Sequence, residues 1–154
     1  MAKSHIPTGA NSLNPYINIK GCSEAIEFYK KAFGAIEKLR LVMPDGSIAH
    51  AELDIEGSLI MMAEENPDWG TKSPDTLGGN PLTIGLYVPD VDQSFQRAID
   101  AGAVEIMPVK DEFYGDRAGQ VIDPFGYKWM IATHKEVVSQ EEMQIRMNKM
   151  FAGE

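Results

Sequence analysis

His50 and Glu52 stand two residues apart in Ile48–Ile55, a run that alternates polar and apolar side chains. Alternation at that period marks a strand with one buried face. Both side chains therefore leave the same face, roughly 6.6 Å apart along the strand. A carboxylate so placed can orient an imidazole, which suits a general base or a pair that grips a polar ligand. A histidine held for structure alone is the third reading. Ala49, Ala51, Leu53 and Ile55 make the other face and are expected under a helix. His5, near the N-terminus, and His134, at the end of the last strand, are expected in solvent. Asp116 and Arg117 are expected to form an ion pair in a loop. Arg117 also suits an anionic ligand, because a guanidinium pairs well with a carboxylate or phosphate. Trp69 is a candidate lid for a flat molecule, or a ring packed on its own domain. No glycine-rich phosphate loop, Ser/His/Asp arrangement or paired-carboxylate motif stands out.

The elements that must position these groups come twice. Tyr16-Ile17-Asn18-Ile19 and Gly85-Leu86-Tyr87-Val88 each precede an amphipathic segment ending in Gly-Ala. Ile19 and Val88 lie 69 residues apart, as do Gly57 and Gly126. A repeat of this size is a duplicated supersecondary unit that buries its apolar face against its twin. In the first unit, about 13–64, the pattern predicts a strand over Leu13–Lys20 and a helix capped by Ser23 and ended by Gly34. Strands over Ile36–Met43, Ile48–Ile55 and Ser58–Glu64 complete it. Residues 65–81, rich in Pro, Gly, Asn and Asp, read as the linker. The second unit, about 82–134, predicts a strand over Leu82–Val88 and a helix capped by Asp90. Strands over Val104–Val109, Gly119–Ile122 and Tyr127–Thr133 follow. Ser139 with Glu142 reads as a capping box opening a C-terminal helix over about 139–152. That helix carries a stripe of Met143, Met147, Met150 and Phe151, expected to cover the core or a partner.

The chain has 154 residues, enough for one domain with a real core. Its net charge of −9, with no basic run, argues against nucleic acid and against an anionic membrane surface. Cys22 is the single cysteine, so neither a disulfide framework nor a thiolate zinc cluster is expected. No apolar run approaches membrane-spanning length. A cytoplasmic location is the default expectation.

The repeat, Phe28-Tyr29 late in the first helix, and the turn Asp123-Pro124-Phe125-Gly126 resemble the vicinal oxygen chelate superfamily of glyoxalases, bleomycin-resistance proteins and extradiol dioxygenases. His50-Ala51-Glu52-Leu53 and Tyr114-Gly115-Asp116-Arg117 look closest to its PhnB-like branch. The resemblance covers roughly residues 13–135. It implies an α+β fold: two βαβββ units forming an eight-stranded open barrel around one cavity, often as a homodimer. In the metalloenzymes of that family four inward His, Glu or Gln side chains hold a divalent ion. Counting places those positions at Asn14, Met61, Thr83 and Met130. Two thioethers, an amide and a hydroxyl supply no anionic ligand and no imidazole, so no metal and no cofactor is expected. With Asn14 and Thr83 facing inward, alternation turns Tyr16, Asn18 and Tyr87 the same way. The expected ligand-binding set is then Tyr16, Asn18, His50, Glu52, Met61, Tyr87 and Met130, with Arg117. A small organic ligand is expected, with no nucleic-acid or membrane partner. Whether the protein is an enzyme stays open. The alternative to simple binding is a lyase, isomerase or dioxygenase-type enzyme using His50 and Glu52, with or without a divalent metal.

Overall fold

Each half of the chain buries the apolar side of its strands under its own helix. The computed structural model describes residues 4–153. The first half runs β1 (Tyr16–Ile19), α1 (Cys22–Phe33), β2 (Ile36–Val42), β3 (Ile48–Ile55) and β4 (Ser58–Glu64). The connection holds a 3₁₀ turn, Pro67–Trp69, and a short helix α2 (Pro74–Leu77). The second half runs β5 (Thr83–Tyr87), α3 (Val91–Ala101), β6 (Val104–Asp111), β7 (Asp116–Ile122) and β8 (Lys128–His134), and α4 (Gln140–Ala152) follows. The strands form two four-stranded sheets, ordered β1-β4-β3-β2 and β5-β8-β7-β6. β1 runs parallel to β4 and β5 to β8, while the remaining pairs are antiparallel. This is the expected α+β plan of two βαβββ units and a C-terminal helix. Among the described residues no strand of one sheet bonds to the other, so a single chain leaves the barrel open.

Ile17 and Ile19 of β1, Ala51 and Leu53 of β3 and Met62 of β4 are buried in one core with Ala25, Ile26 and Tyr29 of α1. Fully burying such an aliphatic or aromatic side chain stabilises the fold by about 1.5–3 kcal/mol. The two halves meet through their helices, α1 against α3. Trp129 of β8 joins them, its ring 5.4 Å from Tyr29 and 4.5 Å from Phe33. Beneath it the Asp123 carboxylate accepts from the Tyr29 hydroxyl at 2.7 Å and from Trp129 Nε1 at 2.9 Å. The same carboxylate accepts from the backbone N–H of Phe125 at 2.9 Å and of Tyr127 at 3.0 Å. One buried acid thus shapes its own turn and ties α1 to β8.

Local chemistry departs from the sequence reading at several places. Ser23 does not cap α1. The cap is Gly21, at φ 82°, and the Glu64 carboxylate at the end of β4 accepts from the Gly21 and Cys22 N–H groups, both at 2.8 Å. A carboxylate there satisfies orphan donors and meets the positive end of the helix dipole. Burial, then the Glu64 charge, pushes the Cys22 thiol up to about 12. Ala49 is exposed and Ile48 takes the buried place, because the β2–β3 register slips between Leu41 and Val42. β7 starts at Asp116, three residues before the predicted Gly119. The linker is ordered: Ser73 caps α2, and Pro74 lies under the turn glycine Gly126. Ser139 does cap α4 by accepting from Glu142 N–H, but the Glu142 carboxylate turns to Arg146 rather than back to the cap.

Candidate functional site

Both sheets turn one face away from the helices, and the chemistry sits there. In the first sheet Tyr16, Met61, Glu52 and Leu39 stand side by side across four strands. In the second, Gly85, Met130, Gln120 and Met107 occupy the matching row. Met61 and Met130 are therefore equivalent in the two units. Their strand neighbours are Tyr16 and Gly85, two residues beyond Asn14 and Thr83. Asn14 lies before β1 and folds back on Asn11, accepting from its N–H at 2.9 Å and donating to its carbonyl at 2.6 Å. Thr83 stands at the exposed start of β5, beside Lys128. No group of three or more His, Cys, Asp or Glu side chains among the described residues is arranged to hold a metal.

His50 and Glu52 do share the open face, and Tyr16 joins them. His50 Nε2 lies 3.2 Å from Glu52 Oε1, and His50 Nδ1 lies 3.0 Å from the Tyr16 hydroxyl. The carboxylate can only accept, so Nε2 carries the proton and the phenol donates to Nδ1. Both imidazole nitrogens are engaged. Partial burial and the neighbouring Cys22 hold the Tyr16 phenol above its ordinary value, which keeps that proton in place near neutral pH. Any acid–base action of His50 thus passes through the Tyr16 oxygen. A groove of about 490 Å³ lies beside this array, lined by Tyr16, Ala49, Ala63 and Trp69 together with polar Asn18, Asp45, Glu64 and Glu65. Trp69 is 76% exposed.

The second unit holds an array that sequence reasoning missed. Asp116, 5% exposed, accepts from the Tyr87 hydroxyl at 2.6 Å and from His134 Nδ1 at 2.7 Å. The expected Asp116–Arg117 ion pair does not form, because adjacent strand residues point to opposite faces. Arg117 turns instead to Asp92 of α3, through Nε and a second nitrogen at 2.8 Å each, and to Asp111 at 3.2 Å. His134 stays half-exposed and is held in place by its bond to Asp116. The alternation of β7 carries the signal, but a strand starting at Gly119 leaves Asp116 outside it. Tyr87 lines a smaller pocket of about 270 Å³ with Gly85, Pro15 and Ser58, where the two halves adjoin. Tyr16 and Tyr87 thus line separate spaces in one chain.

Residues 11–131 match the model of the Glyoxalase/Bleomycin resistance protein/Dioxygenase superfamily, and the chain belongs to that family. An uncharacterized protein of Mycobacterium bovis is 41% identical over 145 residues, covering 92% of this chain and 95% of its own. TioX from Micromonospora sp. ML1 is similar in structure, with a TM-score of 0.65 and 25% identity over 81% of this chain and 99% of its own. A PhnB protein from Bacillus cereus shares the fold at a TM-score of 0.61 with 16% identity, over 80% of this chain and 99% of its own. No helix among the described residues is long and apolar enough to cross a membrane.

Proposed function

We propose that the protein is a metal-independent, homodimeric, cytoplasmic binder of a small organic molecule, which lies on the open face of the first sheet and meets the Tyr16 hydroxyl. The observation that carries this reading is the Tyr16–His50–Glu52 array standing on the open face beside the 490 Å³ groove. A concave space where apolar and aromatic side chains meet convergent polar groups is the usual make-up of a small-molecule site. Thioethers at Met61 and Met130 support a site without a metal. The dimer is supported by exposed Leu39, Leu41 and Val42 on the edge strand β2 and Ile106 and Met107 on the edge strand β6. Such edges need covering, and a second copy would also close the open faces. The expected interface is roughly 2,000 Å² or more. Sedimentation velocity should give twice the mass of one chain. A concentration-independent monomer would defeat the dimer.

The site itself is tested on the protein as isolated. Native mass spectrometry should reveal a co-purified organic molecule, and elemental analysis should find zinc, nickel, iron and manganese well below one per chain. His50→Ala should weaken binding of that molecule by about 1–3 kcal/mol, since the Tyr16 and Glu52 groups lose their partner. One tightly held metal per chain, or unchanged affinity in the variant, would overturn the reading. A second reading keeps the enzyme alternative, a lyase, isomerase or dioxygenase-type reaction. The hydrogen-bonded chain favours it, because a proton can pass from the Tyr16 hydroxyl to His50 while Glu52 faces the imidazolium. Turnover that survives excess chelator and is lost in Tyr16→Phe would favour catalysis over binding.

A further inference from the structure

Asp116 at the start of β7 pairs in register with His134 at the end of β8, and Tyr87 ends β5 on the same sheet. The Asp116 carboxylate accepts from the imidazole at Nδ1, which leaves Nε2 as the nitrogen with the free lone pair. The His134 side chain is 55% exposed and Tyr87 56% exposed, so the array is buried at its carboxylate and open at its imidazole. Tyr87 donates its proton inward to Asp116, and that hydrogen bond, ahead of burial, raises the phenol above its ordinary value. Its oxygen lone pairs remain outward. This is the reverse of His50, whose two ring nitrogens are both taken. A base held by a third group with its second nitrogen free is the arrangement that accepts a proton from a ligand.

We propose that Tyr87, Asp116 and His134 form a second site, which takes an organic molecule through a weakly acidic hydroxyl, a phenol or an enol. The hydroxyl donates to His134 Nε2. When the proton moves, the O–H bond breaks, an N–H bond forms, and the ligand oxygen keeps the electron pair. The imidazolium then faces the Asp116 carboxylate, which holds its other N–H. The proposal rests on the reading above only in taking the open sheet faces as the ones that meet ligands.

The test uses 4-nitrophenol, whose absorbance separates phenol from phenolate, at a pH where the free compound is mostly protonated. Wild-type protein should bind it with a red shift toward the phenolate band. His134→Gln, at a half-exposed position, should fold normally and weaken binding at least tenfold with loss of the shift. Tyr16→Phe should keep both, which separates this site from the one on the first sheet. Nitrogen NMR of labelled imidazole should find the His134 proton on Nδ1 in wild type. No shift with wild type, a shift unchanged in His134→Gln, or a shift lost only in Tyr16→Phe would each overturn the proposal.

Discussion

Replacing Asp123 by alanine should cost about 4 kcal/mol of folding stability, because it strands several buried donors that share one acceptor. The Tyr29 hydroxyl, Trp129 Nε1 and the Tyr127 N–H lose their partner inside a packed core, and the Phe125 N–H loses its partner in the turn. Each such loss costs about 1–3 kcal/mol, and a domain has only about 5–15 in all. The urea midpoint should fall with an unchanged slope. Tyr29→Phe, which removes one donor and leaves the acceptor satisfied, should cost much less. A loss below about 1 kcal/mol in Asp123→Ala would refute the shared-acceptor account. The acid also has a pH signature. Burial raises its carboxyl above the ordinary value, against the hydrogen bonds that lower it. The folded state therefore favours the protonated form. That contribution is full below the unfolded carboxyl's value and is lost as pH rises through the folded one. Asp123→Asn removes this titration and should flatten the stability curve in that window.

Gly126→Ala should cost about 3 kcal/mol, from backbone strain and overpacking together. Gly126 holds φ 90°, and a methyl there would stand 2.6 Å from Pro74 Cβ. Pro74 opens α2 in the connection, so the clash pushes that segment off the turn. Trypsin should then cut after Lys72 faster than in wild type. Gly57→Ala is the control. It has φ 79° but nothing within 4 Å of the added carbon, so it carries the strain alone. Equal losses at the two glycines would remove the packing part of the account.

The repeat was legible because it is written in spacing. Ile17, Ile19, Ala51 and Leu53 alternate where a sheet needs them, and the Asp90 and Ser139 caps form as their residue types require. His50 and Glu52 share a face for the same reason. What the sequence could not display was distance across strands. Tyr16 reaches His50 from a strand 34 residues away, and nothing local announces that bond. Glu64 caps a helix 42 residues earlier, so nothing local favours it over Ser23. Asp116 and His134 lie 18 residues apart and meet only once the β7–β8 register is fixed. The family resemblance located Met61 and Met130 correctly as twins, but β1 starts at Tyr16 rather than at Leu13, which leaves Asn14 outside the strand. Counting residues could not place that boundary, because Leu13–Lys20 alternates through it.

Cys22 gives this molecule a clock. Its sulfur lies fully buried at the mouth of α1, with its thiolate disfavoured by burial and by the Glu64 charge. A thiol reagent reaches it only when α1 lifts from the first sheet, and the chain carries no other cysteine to confuse the signal. Labelling at rising reagent concentration therefore reads the opening rate of the first unit, or its opening equilibrium when reclosure is fast. Compared with global unfolding, that number tells whether the duplicated halves come apart one at a time or melt as one cooperative body.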